Sequence, residues 1–113
     1  MLGHRTGLIT NCSSEVPALW QSSPLAPLVD EAVFSCVEGL KKPDSQIYAL
    51  SATRLRVKPQ ECVYIGDGAD EELEGAASTG MHAIRLRVDD TDEPDTWDGP
   101  TIERLSDVMT LLR

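Results

Sequence analysis

Short apolar runs alternate with segments of helical character along this chain. Residues 6–10 (TGLIT) and 61–67 (ECVYIGD) are apolar runs next to turn or polar residues, which is typical of buried strands. Residues 31–37 (EAVFSCV) are a further strand candidate. Residues 82–88 (HAIRLRV) alternate apolar residues with arginine, which predicts a strand with one solvated face near a sheet edge.

The segments between these runs predict helices. Helical spacing or capping residues occur in residues 11–21, 43–57, 70–79 and 101–113. Pro43 and Asp44 suit a helix N-terminus, Gly80 suits a left-handed helix end, and Thr101 can cap the last helix. An acidic loop, residues 89–100, precedes that helix.

Strands that alternate with helices predict one α/β domain over residues 1–113, with a parallel sheet. Ligands of such sheets bind at the carboxyl ends of the strands. Thr10, residues 38–42 and Asp67 each follow a predicted strand, so we expect them along one rim of the sheet.

Composition and charge limit the classes of binding partner that we expect. The chain has 113 residues and a formal net charge of −9, which argues against nucleic acid and anionic membrane surfaces. Cys12, Cys36 and Cys62 form no C-x-x-C pair, so a structural zinc site is not expected. The odd cysteine count and the short, polar N-terminus predict a cytoplasmic location, and no apolar run reaches the length of about 20 residues that spans a bilayer.

Three rim residues form a chemically coherent set. Taken singly, Thr10 is a strand end or helix cap, Lys42 a solvated lysine and Asp67 a turn residue. Together, a hydroxyl beside backbone N–H groups binds phosphate oxygens, and an ammonium group neutralises phosphoryl charge. A carboxylate holds Mg²⁺ directly or through water. The order and placement of these residues favour phosphoryl transfer.

Three segments resemble motifs of a known family in the same order. Residues 8–11 (LITN), 39–48 (GLKKPDSQIY) and 63–81 (VYIGDGADEELEGAASTGM) resemble the second, third and fourth motifs of haloacid dehalogenase-like hydrolases, the HAD superfamily. The resemblance covers most of the chain and implies a three-layer, Rossmann-like core with a parallel sheet.

The resemblance also implies roles for individual residues. Thr10, helped by the Asn11 backbone, would contact the phosphoryl group, and Lys42 would neutralise that group and an attacking carboxylate. Asp67 would bind Mg²⁺ directly or through water. Glu72 matches the second acid of the fourth motif, with Asp70 as the alternative.

The family's first motif, Asp-x-Asp on the central strand, has no match after an N-terminal apolar run. The Asp-x-Asp spacings in residues 89–95 fall in the acidic loop, which predicts solvated side chains. We therefore expect an incomplete core without the first central strand and without the cap domain. The two strand edges left facing each other would favour self-association or pairing with a missing N-terminal segment.

Two functions from different classes follow. The first is the C-terminal part of a Mg²⁺-dependent, phosphatase-type hydrolase that works through an aspartyl-phosphate and is inactive alone. The second is a short, non-catalytic binding or interaction module.

A receiver-like domain, which also has a Thr and then a Lys-Pro, fits poorly because the G-D-G strand follows Pro43 here. The substrate of a complete enzyme would be a small phosphorylated or carboxylate compound whose identity the cap would set.

Overall fold

The computed structural model describes residues 4–87 and 97–108. The strands are β1 (Gly7–Thr10), β2 (Glu31–Phe34), β3 (Val63–Gly66), β4 (His82–Leu86) and β5 (Thr101–Ile102). The α-helices are α1 (Glu15–Trp20), α2 (Ser35–Glu38), α3 (Ser45–Leu55) and α4 (Glu72–Thr79). Short 3₁₀ turns occupy Ala26–Leu28, Pro59–Glu61, Ala69–Glu71 and Leu105–Asp107.

Every strand pairing in the described residues is parallel. β1 pairs with β2, and β3, β4 and β5 form a second sheet in that order. Parallel strands joined through helices are the arrangement that the alternating pattern predicted, and the α/β fold with a partial core is confirmed.

β1 and β3 are not hydrogen-bonded to each other in the described part of the chain. One side chain reaches both strands, because the Lys42 ammonium contacts the backbone oxygen of Ile9 in β1 and the hydroxyl of Tyr64 in β3. The two sheets are therefore neighbours without a shared ladder, as expected for an incomplete sheet.

The core lies between α3, α4 and the strands. Tyr48, Ile47, Leu73 and Val33 are its largest fully buried side chains. The rings of Tyr48 and Tyr64 meet edge to face, with centroids 5.4 Å apart. This contact ties α3 to β3, the strand that leads into the candidate site.

Two helix ends follow the local rules that the sequence indicated. Asp44 caps α3 by accepting a hydrogen bond from the Gln46 backbone at 2.9 Å. Gly80 ends α4 with a φ of +107°, a left-handed conformation that favours glycine. These two caps set the lengths of the helices that flank the site.

β4 lies near a sheet edge, as the sequence predicted, because only the two-residue strand β5 pairs along its far side in the described residues. Two predicted elements differ from the structure. The strand predicted over residues 31–37 ends at Phe34, and Ser35–Glu38 are helical. Thr101 and Ile102 form β5 instead of starting the last helix, because their backbone pairs with β4; helical turns begin at Leu105.

The acidic loop predicted over residues 89–100 lies mostly outside the described residues, as do residues 109–113 of the predicted last helix. Trp97–Pro100 are described and contain no helix or strand. In the described part of the chain, no helix is long and apolar enough to cross a membrane.

Candidate functional site

The candidate site lies where three segments leave the strands. Thr10 is the last residue of β1, Asp67 directly follows β3, and Lys42 precedes α3. Glu72 is the first residue of α4. Hydrogen bonds bring Asn11, Lys42 and Glu72 together at this end of the sheets.

The Lys42 ammonium is held by three acceptors. Its Nζ donates to the Ile9 backbone oxygen at 3.1 Å, to the Tyr64 hydroxyl at 3.0 Å and to Glu72 Oε1 at 3.0 Å. An ammonium group has three N–H donors, so each is used within the protein. A direct contact between Lys42 and a ligand oxygen therefore requires exchange of one of these partners.

Glu72 is a buried carboxylate, with the residue only 5% exposed. Its Oε1 accepts from Lys42 and from the Tyr64 hydroxyl, the latter at 2.5 Å, and its Oε2 accepts from the Gly68 backbone N–H at 2.9 Å. Gly66 makes room for it, because a Cβ there would lie 2.5 Å from the Glu72 carboxyl carbon. Both carboxylate oxygens thus pair with Lys42, Tyr64 and the loop after β3.

Tyr64 completes this network, and sequence reasoning missed it. Desolvation, followed by its hydrogen bond to Glu72, raises the pKa of the Tyr64 hydroxyl above its ordinary value. The hydroxyl is therefore protonated at neutral pH and can donate to Glu72 while accepting from Lys42. The available signal was a polar aromatic residue in an otherwise aliphatic strand.

Asp67 is exposed at the end of β3. The Ala69 backbone N–H donates to Asp67 Oδ1 at 2.9 Å and lowers the pKa of Asp67 below its ordinary value, and the charge of Lys42 acts in the same direction. Asp67 is therefore ionised at neutral pH, which is the state that binds a cation.

The Asn11 side chain hydrogen-bonds to the Lys42 backbone. Asn11 Oδ1 accepts from the Lys42 backbone N–H at 2.9 Å, and Asn11 Nδ2 donates to the Lys42 backbone oxygen at 3.1 Å. The sequence predicted a role for the Asn11 backbone only. Thr10 is half-buried beside it, and its hydroxyl has no hydrogen-bond partner among the residues described.

An open cavity of about 370 Å³ borders this network. Its lining residues are Asn11, Lys41, Lys42, Pro43, Asp70 and Glu71. Asp70 and Glu71 have φ angles of +56° and +59°, in the left-handed region that side chains other than glycine seldom adopt. Asp70, the alternative second acid, therefore faces this cavity rather than the buried network around Lys42.

The donor set fits Mg²⁺ in part. Mg²⁺ is usually held by one or two carboxylates together with water and substrate phosphate. Asp67 supplies one exposed, ionised carboxylate, whereas Glu72 is engaged by Lys42, Tyr64 and Gly68. No three potential metal-ligating side chains cluster within the part of the chain that the structure describes. Asp67 is thus the better candidate ligand, and a role for Glu72 at a metal stays a prediction.

The comparison with protein families agrees with the fold. The model of the haloacid dehalogenase-like hydrolases matches residues 1–80, which is more than half of the chain. The chain therefore belongs to the haloacid dehalogenase-like hydrolase family.

Individual relatives match this chain over only part of their length. The glyceraldehyde 3-phosphate phosphatase of Methanopyrus kandleri is 44% identical over 57 residues, which are 50% of this chain and 24% of that protein. The HAD phosphatase of Thermococcus onnurineus superposes with a TM-score of 0.79 at 23% identity, covering 97% of this chain and 51% of that one.

A third relative is bound to magnesium. The HAD-hydrolase YfnB from Bacillus subtilis superposes with a TM-score of 0.80 at 18% identity, over 96% of this chain and 49% of that one. The chain thus spans about half the length of the two solved structures, and these likenesses show a partial core of the HAD fold.

Proposed function

We propose that this chain supplies the phosphoryl-binding and Mg²⁺-binding part of a phosphatase-type HAD hydrolase. The observation that carries the proposal is the network at the strand ends, in which Asn11 and Glu72 hold Lys42 between β1 and β3, close to Asp67. Preorganised positive charge beside a metal-binding carboxylate is what phosphoryl transfer requires.

Each residue has one role in this proposal. The Thr10 hydroxyl, which has no hydrogen-bond partner among the described residues, and the Asn11 backbone N–H bind phosphoryl oxygens. Lys42 neutralises the charge of these oxygens. Asp67 holds Mg²⁺, which would supply further charge neutralisation at the phosphoryl oxygens. Glu72 and Tyr64 support Lys42, and Glu72 contacts the metal only if it releases one of its partners.

The nucleophile is the part that these 113 residues do not provide. No Asp-x-Asp motif follows an N-terminal apolar run. We propose that the attacking aspartate comes from a further polypeptide segment and that the 113 residues alone bind phosphate weakly without turnover. The second candidate function is a non-catalytic binding module. It would bind its ligand at the same site, and no nucleophile would complete that site.

Small phosphorylated compounds are the proposed substrate class of the complete enzyme. The name of the Methanopyrus kandleri relative makes glyceraldehyde 3-phosphate the first compound to test. The cavity beside Asn11 and Lys42 is open and polar, which suits a small polar ligand, and Lys41 and Lys42 line it together with the acidic residues Asp70 and Glu71.

Phosphate binding tests the proposal directly. We would titrate the chain with inorganic phosphate, with and without Mg²⁺, and follow binding by ³¹P NMR. Lys42→Met and Asp67→Asn should each weaken binding about tenfold or more, whereas Lys58→Met, which removes an exposed lysine that does not line the cavity, should change it little.

A second variant guards against loss of folding. Thr10→Val keeps the shape of the side chain and removes its hydroxyl, and Thr53→Val, at an exposed position of α3, is its control. Circular dichroism confirms that each variant is folded. Equal phosphate affinity in wild type, Lys42→Met and Thr10→Val would overturn the assignment of the site.

Activity assays separate the two candidate functions. The 113-residue chain should release no phosphate from p-nitrophenyl phosphate above background. Addition of a separate segment from a HAD hydrolase that carries Asp-x-Asp on an apolar strand should produce turnover that Asp67→Asn abolishes. Turnover by the 113 residues alone that Asp67→Asn abolishes would contradict the missing-nucleophile proposal, and no turnover in any mixture would favour the binding module.

A further inference from the structure

Two cysteines that are distant in the sequence meet beside the candidate site. The Sγ atoms of Cys12 and Cys36 lie 3.9 Å apart, and both thiols are free. The parallel register explains the contact, because Thr10 in β1 pairs with Phe34 in β2 and each cysteine follows its pair member by two residues. The pair therefore results from the sheet itself rather than from a chance loop position.

The backbones around the two cysteines are already fixed relative to each other. The Cys12 backbone N–H donates to Ser35 Oγ at 2.9 Å, and that hydroxyl donates to the Cys12 backbone oxygen at 3.3 Å. A disulfide bond is about 2.05 Å long, so the sulfur atoms have to approach by about 1.9 Å. Rotation about χ1 of both cysteines can share this displacement.

We propose that Cys12 and Cys36 form a reversible intramolecular disulfide, with a low-molecular-weight disulfide such as oxidised glutathione as the oxidant. Cys36 is exposed and Cys12 is half-buried, so the Cys36 thiolate reacts first. It attacks one sulfur of oxidised glutathione, forms a mixed disulfide and expels one glutathione thiolate. The Cys12 thiolate then attacks Cys36 Sγ and expels the second. The protein loses two protons and two electrons, and one oxidised glutathione becomes two reduced molecules.

Local electrostatics influence the rate of this thiol–disulfide exchange. Partial desolvation, together with the neighbouring Cys12 thiol, raises the pKa of the Cys36 thiol above its ordinary value. Because the thiolate is the attacking species, the first step should accelerate as the pH rises into the alkaline range. Oxidation of Cys12 and Cys36 by glutathione should therefore be slow at neutral pH and should reach equilibrium only after long incubation.

The disulfide would tie together two segments of the candidate site. Cys12 directly follows Asn11, whose side chain holds both backbone polar groups of Lys42. Cys36 lies in α2, whose last residue, Glu38, pairs with Arg54 of α3. Formation of the disulfide would thus fix the segment between β1 and α1 against the segment between β2 and α3.

Mass spectrometry of the intact chain tests the proposal without reference to phosphate binding. The protein is equilibrated in glutathione buffers of increasing oxidised fraction, quenched with acid and mapped by proteolysis. We expect the loss of two hydrogen atoms, a peptide linking Cys12 to Cys36, and reversal by dithiothreitol. Cys62 is the matched control, because its thiol donates to the Lys58 backbone oxygen and contacts neither of the other two thiols within the described part of the chain.

Single substitutions distinguish the order of the steps. Cys12→Ser should accumulate the glutathione mixed disulfide at Cys36, and Cys62→Ser should form the same internal disulfide as wild type. A disulfide that involves Cys62, a disulfide formed only between molecules, or a Cys12–Cys36 pair that stays reduced at the highest oxidised fraction would each overturn the proposal.

Discussion

At the residue scale, Glu72 combines a buried position with an ion pair to the Lys42 ammonium. Its partners are Lys42, Tyr64 and the Gly68 backbone, which come from three different segments. Burying a carboxylate is costly unless it is paired and hydrogen-bonded, so this network has to form as a unit. The stability of the site therefore depends on the pair of Lys42 and Glu72.

Removal of the charge on Glu72 should destabilise the protein. Glu72→Gln leaves the ammonium of Lys42 poorly compensated inside the protein, and we expect the free energy of unfolding to fall by about 3 kcal/mol. Urea unfolding followed by circular dichroism measures the change. Glu74→Gln, on the exposed face of the same helix, should cost less than about 0.5 kcal/mol; similar losses in both variants would contradict the role of Glu72.

The lowered pKa of Asp67 predicts that the stability of the fold depends on pH. Its folded-state pKa is lowered, chiefly by the Ala69 N–H, so its ionised form stabilises the fold above the ordinary aspartate pKa of about 3.9. This contribution is lost as the pH falls through the lowered folded-state value. In metal-free buffer, Asp67→Asn should be less stable than wild type near neutral pH, and the two unfolding curves should converge in strong acid.

Melting temperatures of both proteins across the acidic pH range test whether the charge of Asp67 stabilises the fold. Asparagine can still accept the Ala69 hydrogen bond, so it imitates the protonated aspartate and isolates the effect of charge. An Asp67→Asn protein that is more stable than wild type near neutral pH, with the two proteins converging in acid, would show that the charge of Asp67 destabilises the fold.

At the scale of elements, the contact between α4 and the start of α3 depends on Gly75. A Cβ at Gly75 would lie 2.7 Å from the Pro43 backbone oxygen and 2.8 Å from the Tyr48 hydroxyl, both closer than real contacts allow. The Tyr48 hydroxyl also donates to the Glu72 backbone oxygen at 2.8 Å. The close approach of α3 and α4 thus helps to place Lys42 next to Glu72.

Gly75→Ala should destabilise the protein although alanine favours helices. Alanine gains about 1 kcal/mol of helix propensity, but overpacking against a backbone oxygen costs about 1–3 kcal/mol, so we expect a net loss of stability. Thermal unfolding gives the magnitude. Ala77→Gly, at an exposed position of α4, calibrates propensity alone and should lose about 1 kcal/mol. A Gly75→Ala protein more stable than wild type would show that the helices can separate without cost.

At the scale of the whole molecule, the described strands form two parallel sheets instead of one. The edges of β1 and β3 that face each other share no ladder, and strand edges with free backbone groups tend to pair with other chains. The sequence predicted self-association on this ground, and it stays a prediction. We expect a dimer or a larger assembly in solution.

Sedimentation velocity over a range of concentrations measures this association. Leu8→Lys places a charge on β1 and should shift the population towards monomer, whereas Ala18→Lys on exposed α1 should leave it unchanged. A monodisperse, cooperatively unfolding wild-type monomer at every concentration would mean that the two sheets are stable without a partner strand.

Local pattern was sufficient for much of the fold and for the place of the site. The apolar runs identified β1 and β3, and Asp44 and Gly80 marked helix ends, because strand burial and helix capping depend on neighbours in the sequence. The same logic placed Thr10 and Asp67 at the ends of parallel strands, and the structure places Lys42 in the segment between α2 and α3. Their order also carried the resemblance to the family to which the chain belongs.

Tertiary structure decided what those residues touch. The partner of β4 on its far side is β5, a two-residue strand too short to leave a pattern in the sequence. The partners of Lys42 are 22 to 33 residues away, and Cys12 and Cys36 meet across 24 residues. Such contacts follow from the register between strands and the packing of helices, which no single segment encodes. The sequence therefore determined which groups reach the rim, and packing determined that Glu72 and Tyr64 hold Lys42 there.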